Sequence, residues 1–371
     1  MHLEYSDAQR QEQQRFRAFA QQHIVPFAAE WERREATPPE LIDALRAEGL
    51  LGAIDLDPIV YGLLTEEIGR ACSSIRSLLT VHDMVTLALR RWGSPRVKEE
   101  LVPRMLKGEL LGALGLSEAV AGSDAAGVQT QARQEGDTFV LQGGKKWITY
   151  GQIADVFLVL AQLDGAERKP TAFVVEAARD GFSRSPITGI MGTAASMVAE
   201  LQFDRVRLPL DQRVGSAHRG MTIAQTALQW GRYSVAWGSV GIAQACLDAS
   251  LDYTQTRQAF GQALGRHQLV QRLLTEMKTN TRAARLLCLR AGHLLKTGSY
   301  DADAEIMVAK YFASRTAAQA AVDAVQLHGA AGVSTEYPVA RYLRDSRIPE
   351  IIEGSTQIQQ TTIADLPLGE F

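Results

Sequence analysis

Ile351-Ile352-Glu353-Gly354-Ser355-Thr356-Gln357-Ile358-Gln359 sets a single carboxylate in an apolar run, directly before a glycine and a helix-start signal. A carboxylate between isoleucines loses water, which disfavours its charged form and lifts its pKa toward the range where a general base works. Gly354 lets the backbone come close to another group, and Ser355 or Thr356 can cap the helix that follows. Alone, the pattern fits a buried glutamate at a helix start equally well. The rest of the chain decides.

The 371 residues exceed the size at which one core usually keeps growing, so two or three packed units are expected. With 46% hydrophobic and 22% charged residues and a net charge of −3, the composition is that of an ordinary globular protein. Acids and bases are interspersed, which leaves no basic surface for nucleic acid or an anionic membrane. No uninterrupted apolar run approaches about 18 residues, and Met1 to Arg17 is polar and charged, so neither a spanning helix nor a secretory signal is expected. Cys72, Cys246 and Cys288 lie in apolar helical patterns without metal-like spacing. They read as buried thiols of a cytoplasmic protein with no metal centre.

Helical periodicity dominates from about residue 5 to 110. Phe16, Phe19, Ala20, Ile24 and Val25 fall on one face, as do Leu41, Leu45, Leu50 and Leu51. Helices are expected over 60–70, 73–92 and 95–107, with Gly93-Ser94-Pro95 as the stop and start between the last two. The pattern then turns β-branched and alternating: Thr138–Leu141, Lys146–Thr149, Val156–Leu160, Thr171–Val175 and Leu201–Phe203, punctuated by glycine and aspartate. Short strands of this kind predict a β-sandwich or barrel. Long alanine-rich helices follow over 222–256, 269–296 and 301–328, as in an antiparallel bundle. The expected class is α+β, with a helical domain over 1–112, a β domain over 113–216 and a four-helix bundle over 217–371.

Five separated segments carry a resemblance. Leu116-Ser117-Glu118-Ala119-Val120-Ala121-Gly122-Ser123-Asp124 resembles [ST]-E-P-G-A-G-S-D, and Lys146-Trp147-Ile148-Thr149-Tyr150-Gly151 resembles W-I-T-N-G. Arg257-Gln258-Ala259-Phe260-Gly261 with Gln268 resembles R-x-x-F-G…Q, and Gln326-Leu327-His328-Gly329-Ala330-Ala331-Gly332 resembles Q-x-x-G-G-x-G. The opening stretch resembles Y-E-G-T-x-x-I-Q. In order and at matching spacing over nearly the whole length, these motifs resemble the acyl-CoA dehydrogenase family. The departures are Ala119 and Val120 for Pro and Gly, Tyr150 for Asn, Ala330 for Gly, Ile352 for an aromatic residue and Gln360 for Arg. Between Gly52 and Tyr61 the family carries a longer Gly-Gly-x-Gly loop; here the connection is short, either by true deletion or because residues are missing from the sequence as written.

The resemblance implies a FAD-dependent acyl-thioester dehydrogenase. Glu353 aligns with the catalytic base that removes the α-proton while the flavin accepts a hydride from the β-carbon. Leu116, Ser117, Trp147 and Thr149 align with residues around the flavin ring. Ser355 and Gln357 align with further flavin contacts. Arg257, Phe260 and Gln268 align with residues that reach a neighbouring subunit's cofactor, and Gln326, Gly329 and Ala330 with those at its diphosphate and ribose. That sharing implies a homodimer or homotetramer. Some branches carry the base on a bundle helix just before an arginine; the arginine matches Arg232, but the preceding residue is Gly231, so Glu353 is the one candidate. Ser123, Arg232, Gly354, His82 and Met84 fall at substrate-facing positions. His328 reads as a packed helix-end histidine.

A polar His82-Asp83 pair near the acyl-pocket floor argues for a short or oxygenated acyl group. That resembles the branch acting on acyl-carrier-protein-bound groups for polyketide extender units of the hydroxymalonyl or methoxymalonyl type. The alternatives are a short- or branched-chain acyl-CoA dehydrogenase, a flavin oxidase or oxygenase on the same fold, and a scaffold that has lost flavin. An electron-transfer flavoprotein is the expected electron acceptor.

Overall fold

Capping chemistry starts the first helix of the chain, whose residues 4–165 and 168–366 are described by a computed structural model. Ser6 accepts from the Gln9 backbone while the Gln9 side chain returns to Ser6, a capping box that starts α1 (Asp7–His23). Then come α2 (Ala28–Arg34), α3 (Pro39–Ala47), α4 (Pro58–Ala71) and α5 (Ser73–Trp92). The short connection is continuous: Asp57 caps α4 through the Ile59 and Val60 amides, with Pro58 in the first turn. The helix expected over 95–107 is instead a π-helical turn, Val97–Leu101, and a short α6 (Val102–Leu106). Pro103 explains the difference: it has no N–H, and its ring crowds the carbonyl four residues back, so the ladder widens.

Eight strands follow: β1 (Gly112–Gly115), β2 (Gln131–Glu135), β3 (Thr138–Ile148), β4 (Val156–Leu163), β5 (Thr171–Glu176), β6 (Phe182–Pro186), β7 (Ala199–Pro209) and β8 (Arg213–Val214). Their order is β6-β7-β3-β2-β4-β5-β8, with β1 also on β4. Four steps separate β6 from β4, roughly 19 Å in a flat sheet, yet the Phe157 and Phe182 rings are 5.0 Å apart. The sheet therefore folds over on itself, and Phe139 meets Phe173 across the same core. Gly143-Gly144, read as punctuation between two strands, is a register irregularity inside one 11-residue strand. At Gly143 (φ 137°) any Cβ would lie 2.9 Å from the Thr130 Cα, so glycine is required.

The last third is helical: α7 (Gly220–Thr256), α8 (Gln268–Thr297), α9 (Ala302–His328), α10 (Val339–Arg347) and α11 (Thr356–Asp365). Three of these are long and two short. The spine is α7, buried along most of its length and packed on α4 and α5 as well as on α8 and α9. A Cβ at Gly241 would fall 2.2 Å from the Glu66 carbonyl, so a glycine there lets α4 sit against α7. The helical, sheet and helical domains thus share one core.

Candidate active site

The chain reverses between α10 and α11 through two consecutive left-handed residues, Glu353 (φ 56°) and Gly354 (φ 88°). A left-handed glutamate costs on the order of 1–3 kcal/mol and persists only where its surroundings hold it. Three side chains do so. Arg232 Nε donates to the Glu353 carbonyl at 3.1 Å, Gln359 Nε2 to the same oxygen at 3.2 Å, and Lys310 Nζ to the Gly354 carbonyl at 2.6 Å. Ser355 then caps α11 by accepting from the Ile358 amide.

Every one of those donors takes a backbone carbonyl and leaves the carboxylate alone. Glu353 Oε2 is buried without a hydrogen-bond partner. Burial raises the Glu353 pKa to about 7, against the opposing pull of Arg232, Lys310 and Arg76. Burial likewise lowers Lys310 to about 8. The carboxylate reaches its position because α7 has no side chain at Gly231. A Cβ there would lie 2.8 Å from Glu353 Cδ and Oε2 and 2.5 Å from Met84 Sδ. Glu353, Gly231, Met84 and Arg232 therefore converge.

Met84 shares an apolar cluster with Leu116, the entrance to the next loop. The Ser117 carbonyl accepts from the Lys146 amide at 2.9 Å, which sets Leu116 and Ser117 beside Trp147 and Thr149. Trp147 is 55% exposed and left-handed (φ 66°). Tyr150, where the motif has Asn, turns its ring into the core: its hydroxyl pairs with Thr37 Oγ1 at 2.9 Å and donates to the Ser74 carbonyl at 3.0 Å. Ser123 and Gln357 are exposed.

A second group gathers at the far end of the bundle. Arg257 ends α7, Gln268 begins α8, and Phe260 projects from the hairpin between them, 97% exposed. Gln326, Gly329 and Ala330 lie at the end of α9, exposed, where Tyr253 of α7 stacks on His328 at 4.3 Å. From Gly231 to Arg257 is roughly 39 Å along α7. One chain cannot bring this group to its own Glu353.

His82, expected at the acyl-pocket floor, lies elsewhere. Its Nε2 faces the Met105 carbonyl at 2.9 Å and its Nδ1 accepts from the Gly112 amide at 3.1 Å, so both ring nitrogens are committed to backbone. Burial lowers its pKa to about 4, keeping it neutral, and it bolts α5 to α6 and β1. Sequence reading missed Lys310, Gln359 and Arg76. A lone cation inside an apolar helix, as at Lys310 and Arg76, was the available signal. Two surface clefts, about 580 Å³ beside Trp31 and Ile42 and about 400 Å³ beside Arg17 and Arg285, do not include Glu353. Among the described residues there is no metal-ligating cluster and no helix long and apolar enough to cross a membrane.

Comparison with known proteins gives the family. Residues 6–109, 113–206 and 218–366 match the N-terminal, middle and C-terminal domain models of acyl-CoA dehydrogenase. The chain is 35% identical over 360 residues to the mouse mitochondrial short-chain specific acyl-CoA dehydrogenase, covering 94% of this chain and 87% of that one. The butyryl-CoA dehydrogenase structure from Megasphaera elsdenii superposes with a TM-score of 0.95 at 31% identity, covering 98% and 99% of the two chains. FkbI, described as acting in biosynthesis of the methoxymalonyl extender unit of the FK520 polyketide, gives 0.86 at 31% identity over 94% and 98%. The chain belongs to the acyl-CoA dehydrogenase family, FAD-dependent oxidoreductases that dehydrogenate acyl thioesters.

Proposed function

We propose that Glu353 is the base that removes the α-proton of an acyl thioester, and that the substrate is a short, oxygenated acyl group on an acyl carrier protein. The observation that carries the first part is the free, buried Glu353 Oε2 on a turn whose carbonyls are all tied down. A base of this kind is most effective when its pKa lies near the working pH, and a value of about 7 meets that. Arg232, Gln359 and Lys310 give their hydrogen bonds to the turn and fix where the carboxylate points, while the charges of Arg232 and Lys310 favour its ionised form.

The residues fit FAD. Trp147 presents an uncovered indole beside Ser117 and Thr149, with Leu116 packed toward Met84 and Glu353. Ser355 and Gln357 flank the same turn. Bound there, FAD supplies the acceptor for the two electrons that leave the β-carbon. Arg257, Phe260, Gln268, Gln326, Gly329 and Ala330, too distant along α7 to serve the same site, would hold the cofactor of a neighbouring subunit. We therefore expect a homodimer or homotetramer. Ser123, on the exposed stretch past Leu116, suits the carrier's pantetheine arm, and Gly354 and Met84 border the acyl group. An electron-transfer flavoprotein is the fitting acceptor.

The similarity to FkbI supports an oxygenated extender-unit substrate. The similarity to the mouse short-chain enzyme supports the second reading, a plain short-chain acyl-CoA. The test mixes purified holoprotein with a panel of acyl-CoA and acyl-carrier-protein thioesters and follows flavin bleaching without oxygen. Fastest bleaching by a short oxygenated acyl-carrier protein is expected. Bleaching by none of the thioesters refutes the activity, and oxygen uptake without an added acceptor marks an oxidase instead.

A further inference from the structure

Three segments meet where α7 begins. The loop 213–219 leading into it donates the Gly215 amide to the Trp92 carbonyl, at the end of α5, at 2.9 Å. On its other side it meets the β4–β5 connection: the His218 amide donates to Thr171 Oγ1 at 2.8 Å, and the Gly220 amide to the Pro170 carbonyl at 2.7 Å. The three stretches, Arg90-Arg91-Trp92, Arg168-Lys169-Pro170-Thr171 and Arg213 to Met221, are rich in bases and contain no acid, in a chain whose net charge is −3. Arg90 and Arg168 are matched from outside: Arg90 pairs with Asp55, and Arg168 takes both Asp124 oxygens at 2.7 and 2.8 Å. Asp211, just before the loop, faces Arg96 at 3.6 Å. Among the described residues Arg91, Lys169, Arg213 and Arg219 have no acid partner, and all but the partly covered Arg213 are exposed. Glu167, next to Arg168 along the chain, lies outside the described residues. Like charges gathered in this way repel one another, so folding does not favour them; together they raise a field that draws in anions.

This basic collar stands at one end of a path to Glu353. A single apolar cluster joins Met84, beside the carboxylate, to Leu116 and Ala125 after β1 and to Ala224, Ala227 and Leu228 of α7. The loop after β1 is also laced to the collar. Besides the Asp124–Arg168 pair, Gln162 Nε2 donates to the Ala126 and Val128 carbonyls at 2.9 and 3.0 Å, while its Oε1 accepts from the Lys169 amide at 3.2 Å. From Gly231, against Glu353, back to Arg219 is about 18 Å along α7. A pantetheine arm has roughly thirteen bonds between sulfur and phosphate, about 15 Å when extended like a peptide. An arm laid along α7 from Glu353 therefore brings its phosphate, and whatever bears it, to the collar.

We propose that the collar is the docking surface for an acidic acyl carrier protein, with Lys169 and Arg219 as its central contacts and Arg91 and Arg213 at its edges. The proposal rests on the reading of the substrate as a carrier-bound acyl group. Charge complementarity names the occupant: an acidic carrier face around the phosphopantetheine serine meets the collar together with the phosphate. CoA brings phosphates but no such face, and a collar built from three segments is broader than one phosphate requires. Exposed charges of this kind act mainly on encounter, so they speed association and respond to salt.

The test loads the acyl group that bleaches the flavin fastest onto acyl carrier protein, CoA and pantetheine. Anaerobic bleaching is then followed in wild-type and Lys169→Glu/Arg219→Glu holoprotein. In the variant, the second-order rate with the carrier thioester should fall at least about tenfold, and the rate with the pantetheine thioester, which has neither phosphate nor carrier, should not change. Raising the ionic strength from about 0.01 to 0.15 M, which shortens the screening length from about 30 to 8 Å, should slow the wild type with the carrier thioester and barely affect the variant. An equal fall for the CoA thioester means that the collar reads phosphate alone, and overturns the docking surface. A fall for pantetheine as well, or no fall at all, overturns it too. Should the double variant not fold, the wild-type salt dependence decides, steep for the carrier thioester if the collar docks it and flat if it does not. Failure of the underlying reading looks different: the wild type then bleaches with the CoA thioester and not with the carrier thioester.

Discussion

Glu118 and Glu353 bury their carboxylates in opposite circumstances. Glu118 accepts from the Gln129 and Thr130 amides, from Thr130 Oγ1 at 2.6 Å and from Lys145 Nζ at 2.6 Å. Burial pushes its pKa up, but Lys145 and these donors outweigh it and hold the carboxyl below its ordinary value. Burial also lowers Lys145 to about 8. Glu353 has three cations near it, yet two of them spend their hydrogen bonds on carbonyls, and burial wins. Burial alone thus does not make a reactive acid; unmatched burial does. The matched glutamate fixes the loop after β1 to β3, and the unmatched one is left able to take a proton.

The contrast breaks most severely at Glu353 itself. Glu353→Gln keeps the volume and removes the base, so flavin reduction by a thioester should slow by about 10³-fold, within the range for general-base loss. FAD content should stay unchanged. A rate within tenfold of wild type in stopped-flow measurement would falsify the assignment. At the other glutamate the effect should appear in stability. Lys145→Met leaves Glu118 charged and buried beside the Leu116–Ser117 loop, with an expected loss of about 3–5 kcal/mol in denaturant unfolding. A loss under about 1 kcal/mol, the scale of an exposed pair, would mean that the backbone donors carry Glu118 without its partner.

Gly231→Ala sharpens the comparison by moving the free carboxylate without removing it. The added methyl meets Glu353 Oε2 and Met84 Sδ, both at the ends of side chains, so the fold survives and the carboxylate shifts. A displacement near 1 Å is enough to slow the chemical step by about 10²-fold. Unaltered flavin-reduction kinetics in this variant would mean that the carboxylate works from another position.

How much of this was legible follows the same division. The strands and the long C-terminal helices could be read from composition, β-branched runs broken by glycine and aspartate and long alanine-rich stretches, and α7 begins and ends within two residues of the expected span. Glu353 could be read because its motif is local: an acid, a glycine and a cap in consecutive positions. Pro103 was visible in the sequence, but its effect on the helix over 95–107 was not, since a widened turn has no compositional mark. His82 shows the limit most clearly. It sits two residues from Met84, and only the path of β1 past α5 decides that its ring meets the Gly112 amide and not the acyl site. Lys310 and Arg76 were out of reach for a similar reason. A cation in an apolar helix announces burial, but not which carbonyl or which ligand it meets.

The smallest expected effect is also the most specific to the unmatched acid. Glu353 must be ionised to accept a proton, so kcat/KM should rise with pH and level off above its pKa, with an ascending limb near pH 7. Lys310 lies close enough to favour the ionised form, so Lys310→Met should move that limb to higher pH while lowering the plateau through a looser Gly354 turn. A structural role alone would lower the plateau and leave the limb in place. The shift, read from the pH profile of thioester-driven flavin reduction, therefore separates an electrostatic neighbour from a mere strut, a distinction that no rate at a single pH can make.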